Sequence, residues 1–155
     1  MNNFVYDIPT KVYFGKDEEL NVGKYLKEFG ATKVLLHYGG HSAEKSGLLG
    51  KVRKAMDDEG IPFVELGGVR ANPSIELVRK GVKLAIDEKV DFILAVGGGS
   101  VMDSSKAIAH GAANPGVDER KVLSDGIIAV MLLFFPRSMA GFRRFFARFN
   151  EKAVF

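Results

Sequence analysis

The sequence predicts an α/β layered domain on a mainly parallel sheet, and two observations carry that expectation. Between Lys33 and Ala113, short β-type runs alternate with stretches of helical periodicity. The connections are short and the third run is continuously apolar, as expected when helices cover both faces of a parallel sheet through right-handed crossovers.

The elements follow in chain order. KVYFG (Lys11 to Gly15) reads as a strand, and Leu20, Tyr25, Leu26 and Phe29 mark a helix ended by Gly30. KVLLHY (Lys33 to Tyr38) is the first strand of the alternating series, followed by a helix whose apolar face is Leu48, Val52, Ala55 and Met56. IPFVEL (Ile61 to Leu66) is the second strand. The next helix takes Asn72 as N-cap and Pro73 in its first turn, with an apolar stripe of Ile75, Val78, Val82 and Ile86. DFILAV (Asp91 to Val96) is the third strand, and Val101 to Ala113 form the helix after it.

Beyond Gly116 the character changes. VDERKVLSDG is polar and turn-like, and IIAVMLLFF is strand-like. The last piece is a basic helix with Met139, Phe142, Phe145, Phe146 and Phe149 on one face and Arg137, Arg144 and Arg148 opposite. Residues 117–155 are thus expected to add a strand and a Phe-rich helix to the domain begun by residues 1–116.

Composition bounds the function. The 155 residues suit one domain, and 46% apolar with 26% charged residues describes an ordinary globular chain. With no cysteine there are no disulfides, zinc thiolates or thiol nucleophiles, which suits a cytoplasmic protein. No basic region followed by an apolar stretch opens the chain, so no signal peptide is expected. The longest apolar run, Gly126 to Pro136, is far short of the roughly 20 residues a spanning helix needs. The net charge of +3 resides in the tail, where five basic residues from Arg137 onward face one acid, so nucleic acid is not an expected partner of the main body. The tail helix also fits a membrane surface or a protein partner by its basic amphipathic pattern, although packing across the sheet is the simpler expectation, and no membrane partner is expected.

The strongest site signal is Gly97, Gly98, Gly99 and Ser100, with Asp103 and Lys106 behind them. A glycine turn from a parallel strand into a helix presents bare N–H groups and a favourable dipole to an anion, most naturally a phosphate or pyrophosphate. Ser100 can add a hydroxyl and Lys106 positive charge. The alternative is a tight turn with Ser100 as helix cap and Lys106 merely exposed. A G-x-G-x-x-G fingerprint would need glycine at Met102, and a Walker loop would need Ser or Thr at Ala107. Gly39 and Gly40, followed by His41 and Ser42, end the first strand on the same sheet edge, so the two turns can share one extended ligand. No acid ends that strand, whereas Ser42 and Lys45 can meet a 2′-phosphate, which leans toward NADP over NAD. Gly67, Gly68 and Asn72 put a third loop on this edge, with Asn72 read as a cap. His37, His41 and His110 lack metal-ligand spacing and read as structural. Nucleophilic catalysis has no G-x-S-x-G elbow to support it.

These motifs, in the order KVYFGK, VLLHYGGHSAEKSGLL, the Asn-Pro pair and GGGS-x-x-D-x-x-K, resemble the N-terminal cofactor domain of the iron-containing alcohol dehydrogenases, in particular their butanol dehydrogenase-like branch. The resemblance covers about residues 4–116 and implies a Rossmann-like NAD(P)-binding domain, serving aldehyde reduction or alcohol oxidation. It places the cofactor pyrophosphate at Gly97, Gly98, Gly99 and Ser100 with Asp103 nearby, and the adenosine end at Gly39, Gly40 and Ser42. The family continues into a Thr- and Ser-containing segment beside the nicotinamide and an all-helical domain with one Asp and three His as metal ligands, and the chain after Gly116 resembles neither. The expectation is therefore that iron or zinc does not bind this chain, that no catalytic residue is assigned, and that an alcohol or aldehyde is a partner only if the missing half is supplied. A truncated or frame-shifted product and a divergent end both match that departure. A stand-alone nucleotide-binding or interaction module is the competing reading, and a homodimer is compatible with either.

Overall fold

Strands β1 (Val34–Gly39), β2 (Phe63–Val69), β3 (Phe92–Val96) and β4 (Ala129–Leu133) form one sheet in the order β2-β1-β3-β4, and every pairing is parallel. The computed structural model describes residues 11–72, 74–114 and 129–133. The initial segment up to residue 10, Pro73, the polar segment after Gly116 and the Phe-rich helix expected over residues 137–155 lie outside the described residues.

The helices are α1 (Val22–Glu28), α2 (His41–Lys45), α3 (Leu48–Asp58), α4 (Ile75–Asp87) and α5 (Gly99–Ala113), with a 3₁₀ turn at Glu18–Asn21. Side chains alternate along β1 and β3, and each alternate set meets its own helix layer. Val34, Leu36, Phe92 and Leu94 pack on one face against Leu26 of α1 and Leu49, Val52 and Met56 of α3. Leu35 and Ile93 pack on the other against Val78 and Ala85 of α4 and Ile108 of α5. The result is the α/β layered, Rossmann-like arrangement expected from the sequence. At its lower edge the Asp91 carboxylate accepts hydrogen bonds from the Thr32 and Lys33 amides at 3.0 to 3.1 Å, tying the start of β3 to the start of β1.

Three local expectations need correction. Lys11–Gly15 is not a strand. Among the described residues it pairs with no strand, and Tyr13 stacks on Tyr25 of α1 with ring centroids 3.8 Å apart, leaving Val12 and Phe14 exposed. Asn72 does not cap α4, because it turns the chain with a φ of 60°, a left-handed conformation that asparagine tolerates. Ser74 takes the cap, its Oγ accepting from the Leu77 amide at 3.3 Å. The apolar stripe of α4 is also rotated. Val78, Gly81 and Ala85 are buried and Ile86 stays 45% exposed, because the missing side chain at Gly81 admits Ile108 of α5, whose Cδ1 would lie 2.4 Å from an added Cβ.

Candidate functional site

The chain leaves β1 for β2 on one side and reaches β3 on the other, so the chain order reverses between β1 and β3. In open α/β sheets the ligand crevice lies beyond the carboxyl ends of the strands at such a point. A cleft of about 260 Å³ sits there, walled by Gly39 and Gly40 at the end of β1, Arg70 after β2, and Gly97 to Ser100 after β3. A second cleft of about 440 Å³ shares Gly39, Gly40 and Arg70 and is completed by Tyr38, Glu44, Gly67 and Gly68. The first is smaller than most ligand pockets, which run from about 300 to 1,000 Å³, so an extended ligand would need both.

The floor of the first cleft is the start of α5. The helix begins at Gly99, two residues earlier than the periodicity predicts, with Gly98 as N-cap and no side-chain cap hydrogen bond. Ser100 therefore stands inside the first turn and is not the cap. The amides of Val101 and Met102 bond to the Gly98 carbonyl, at 3.0 and 3.2 Å. Those of Gly99 and Ser100 have no carbonyl four residues back inside the helix, and they lie at the positive end of the helix dipole.

The glycines before this turn differ in what they are for. Gly97 has a φ of 157°, and an added Cβ would lie 2.5 Å from Val101 Cγ2, so the fold itself requires glycine there. Gly98 has an ordinary φ of −96°, and an added Cβ would meet no atom within 4 Å. Gly40 is equally open. Packing among the described residues gives no reason for glycine at Gly98 or Gly40.

The structure thus brings six of the expected residues, Gly39, Gly40, Gly97, Gly98, Gly99 and Ser100, to one cleft. Ser42 lies in α2 next to it. Asp103 and Lys106 are exposed further along α5 and line neither cleft. Lys45 also lines neither, while its neighbour Glu44 does line the second. Sequence reasoning missed Tyr38, Glu44 and Arg70. Tyr38 is placed by Gly67, where an added Cβ would come within 2.4 Å of its ring, and by Arg53, whose guanidinium lies 5.9 Å from the ring centroid and bonds Glu65 through two nitrogens at 2.8 Å.

Beneath the cleft, fully buried His37 joins three elements. Its Nδ1 lies 2.7 Å from the Leu66 carbonyl of β2 and its Nε2 lies 2.8 Å from Ser104 Oγ of α5. A carbonyl only accepts, so Nδ1 carries the proton, and in the neutral ring Nε2 is an acceptor that shares the one Ser104 hydroxyl proton with the Val101 carbonyl, 3.0 Å from Ser104 Oγ. The structural reading of this histidine agrees with that geometry. Burial pushes its pKa below the ordinary 6.5, the bond to the Leu66 carbonyl opposing this in part. The unfolded chain therefore takes up the proton first, and stability held above pH 6.5 is lost as pH falls from there toward the folded-state value. Glu19, Glu65 and Asp91, whose values are lowered mainly against burial by their hydrogen-bond partners, lose their contributions only below the carboxylate range. Urea melts between about pH 7 and 5 are expected to show a falling midpoint that His37→Gln, which does not titrate, flattens. An equally steep fall in the variant would contradict the buried neutral ring.

Among the described residues no three His, Asp or Glu side chains come together where they could hold a metal ion, and no helix is long and apolar enough to cross a membrane.

The family model of iron-containing alcohol dehydrogenases matches residues 9–132. NADH-dependent butanol dehydrogenase A of Clostridium acetobutylicum is 42% identical over 111 residues, which cover 72% of this chain and 28% of that protein. The NADPH-dependent aldehyde reductase of Escherichia coli is 39% identical over 127 residues, covering 81% of this chain and 32% of the other. The crystal structure of NADH-dependent butanol dehydrogenase A from Thermotoga maritima superposes with a TM-score of 0.73 at 44% identity, over 75% of this chain and 29% of that one. This chain therefore spans less than a third of the length of each of these relatives.

Proposed function

Because the chain belongs to the iron-containing alcohol dehydrogenase family and corresponds to the N-terminal part of its butanol dehydrogenase and aldehyde reductase-like members, we propose that it binds the pyrophosphate of a nicotinamide cofactor on the Gly97–Ser100 turn. In this reading it is the cofactor-holding part of an NAD(P)-dependent alcohol dehydrogenase or aldehyde reductase. The observation that carries the reading is the open, conformationally unnecessary glycine at Gly98, at the head of a helix with free amides. When bound, the cofactor supplies a hydride donor or acceptor. The chain's own residues do the binding: the Gly99 and Ser100 amides and the α5 dipole hold the anion, and Gly40 and Gly98 let it approach. The wall of Tyr38, Gly67 and Gly68 receives the nucleoside.

In this reading the charge of the second cleft favours NADH over NADPH. The sequence leans toward NADP on Ser42 and Lys45, whereas among the described side chains of α2 the acid Glu44 is the charged one that lines this cleft. A carboxylate accepts from ribose hydroxyls and repels a 2′-phosphate, so NADH is expected to bind more tightly. Titration of the intact chain with NADH and NADPH, followed by nucleotide fluorescence, tests both points. Saturable binding with NADH the tighter ligand is the expected result, whereas absence of binding by either would overturn the proposal.

A further inference from the structure

We infer that Arg70 supplies the fixed positive charge that holds the cofactor pyrophosphate, from its place on the wall shared by the two clefts. This inference rests on the nucleotide-binding reading and adds a residue and a role to it.

The need for such a group follows from charge. A pyrophosphate diester carries two negative charges, while a helix N-terminus offers the equivalent of roughly half a positive charge. The lysine that the sequence offers for the balance, Lys106, lines neither cleft. Among the described residues, Arg70 is the only cationic side chain that lines either cleft, and it lines both. A ligand with its phosphates on the Gly97–Ser100 turn and its nucleoside against Tyr38 must pass this wall.

The position is also well anchored. Arg70 immediately follows Val69, the last residue of β2, which pairs with Gly39 at the end of β1. The backbone that carries the guanidinium is thereby held beside the glycine turn by the sheet. Arg53, on the far side of Tyr38, is occupied by Glu65. Arg70 makes no ion pair with any of the described residues. Its planar fork of donors matches phosphate oxygens better than an ammonium does, and the side chain is exposed.

The test compares the intact chain with Arg70→Gln, Arg70→Lys and Lys80→Gln, the last removing an exposed charge from α4, away from the cleft. ADP and adenosine are the probes, each displacing NADH, because only ADP carries the diphosphate. Arg70→Gln is expected to weaken ADP at least tenfold and to leave adenosine unchanged, with the loss shrinking as salt rises. Arg70→Lys recovers part of the affinity, and Lys80→Gln binds as the wild type does. Unchanged ADP affinity in Arg70→Gln would overturn the inference, as would an equal loss for adenosine or an equal loss in Lys80→Gln. If the wild type binds NADH and only the Arg70 effect is missing, the proposed function stands without this residue. If the wild type binds no nucleotide, both fall.

Discussion

A Gly98→Asp chain is expected to lose nicotinamide nucleotide binding while remaining at least as stable as the wild type. Gly98 is the N-cap of α5, with ordinary dihedral angles and open space where a side chain would project. Aspartate is a better cap than glycine and its charge suits the helix dipole, so folding gains a few tenths to about 1 kcal/mol. The same carboxylate would bond the Ser100 amide and put a negative charge where the pyrophosphate must lie. Losing even one hydrogen bond to an ionised group costs about 1.5 to 3 kcal/mol, or more than tenfold in affinity, before the repulsion is counted. Thermal melts and NADH titration of one preparation check both directions. A variant that binds normally would remove the ligand from this turn, and a variant that unfolds would show that glycine is there for the fold.

Gly97→Ala is expected to do the reverse in stability. Its φ of 157° disfavours any side chain, and the new Cβ would lie 2.5 Å from Val101 Cγ2, which is itself buried between the turn and the sheet. Strain at the positive φ and overpacking together are expected to cost about 2 kcal/mol or more. The overpacking part is specific to one contact. Shortening Val101 in the same chain should therefore return some of the loss, so Gly97→Ala with Val101→Ala is less destabilised than the two changes added. Simple additivity in urea unfolding would show that the two positions do not meet. Neighbouring glycines thus differ: packing demands Gly97, and in the proposed reading Gly98 is left bare for a ligand.

That distinction could not be read from the sequence, in which Gly97, Gly98 and Gly99 are equivalent letters. The layers could be, because the alternating strands and helices of a βα series carry their burial in their periodicity: Leu35 and Leu36, or Ile93 and Leu94, are apolar on both faces because helices cover both. Lys11–Gly15 has the same alternation and no strand to pair with among the described residues, since a period of two describes an extended segment and not its neighbour. At the start of α4, Asn72 and Ser74 are both good caps by type, and only the left-handed turn at Asn72 decides between them. The glycine turns were legible because their chemistry is local. Arg70 was not, because its importance depends on β2 lying next to β1, which places the end of β2 beside Gly39. His37 and Ser104, 67 residues apart, meet only in the folded chain.

The most direct test of a cofactor on the glycine turn is a titration of the intact, nitrogen-15-labelled chain with NADH, following each backbone amide by NMR. The amides of Gly98, Gly99 and Ser100, together with Gly39 and Gly40, are expected to shift saturably with one common dissociation constant, while those of the exposed helix faces stay in place. Saturable NADH binding that leaves these amides unmoved would contradict the site, and no saturable shift anywhere would contradict nucleotide binding itself.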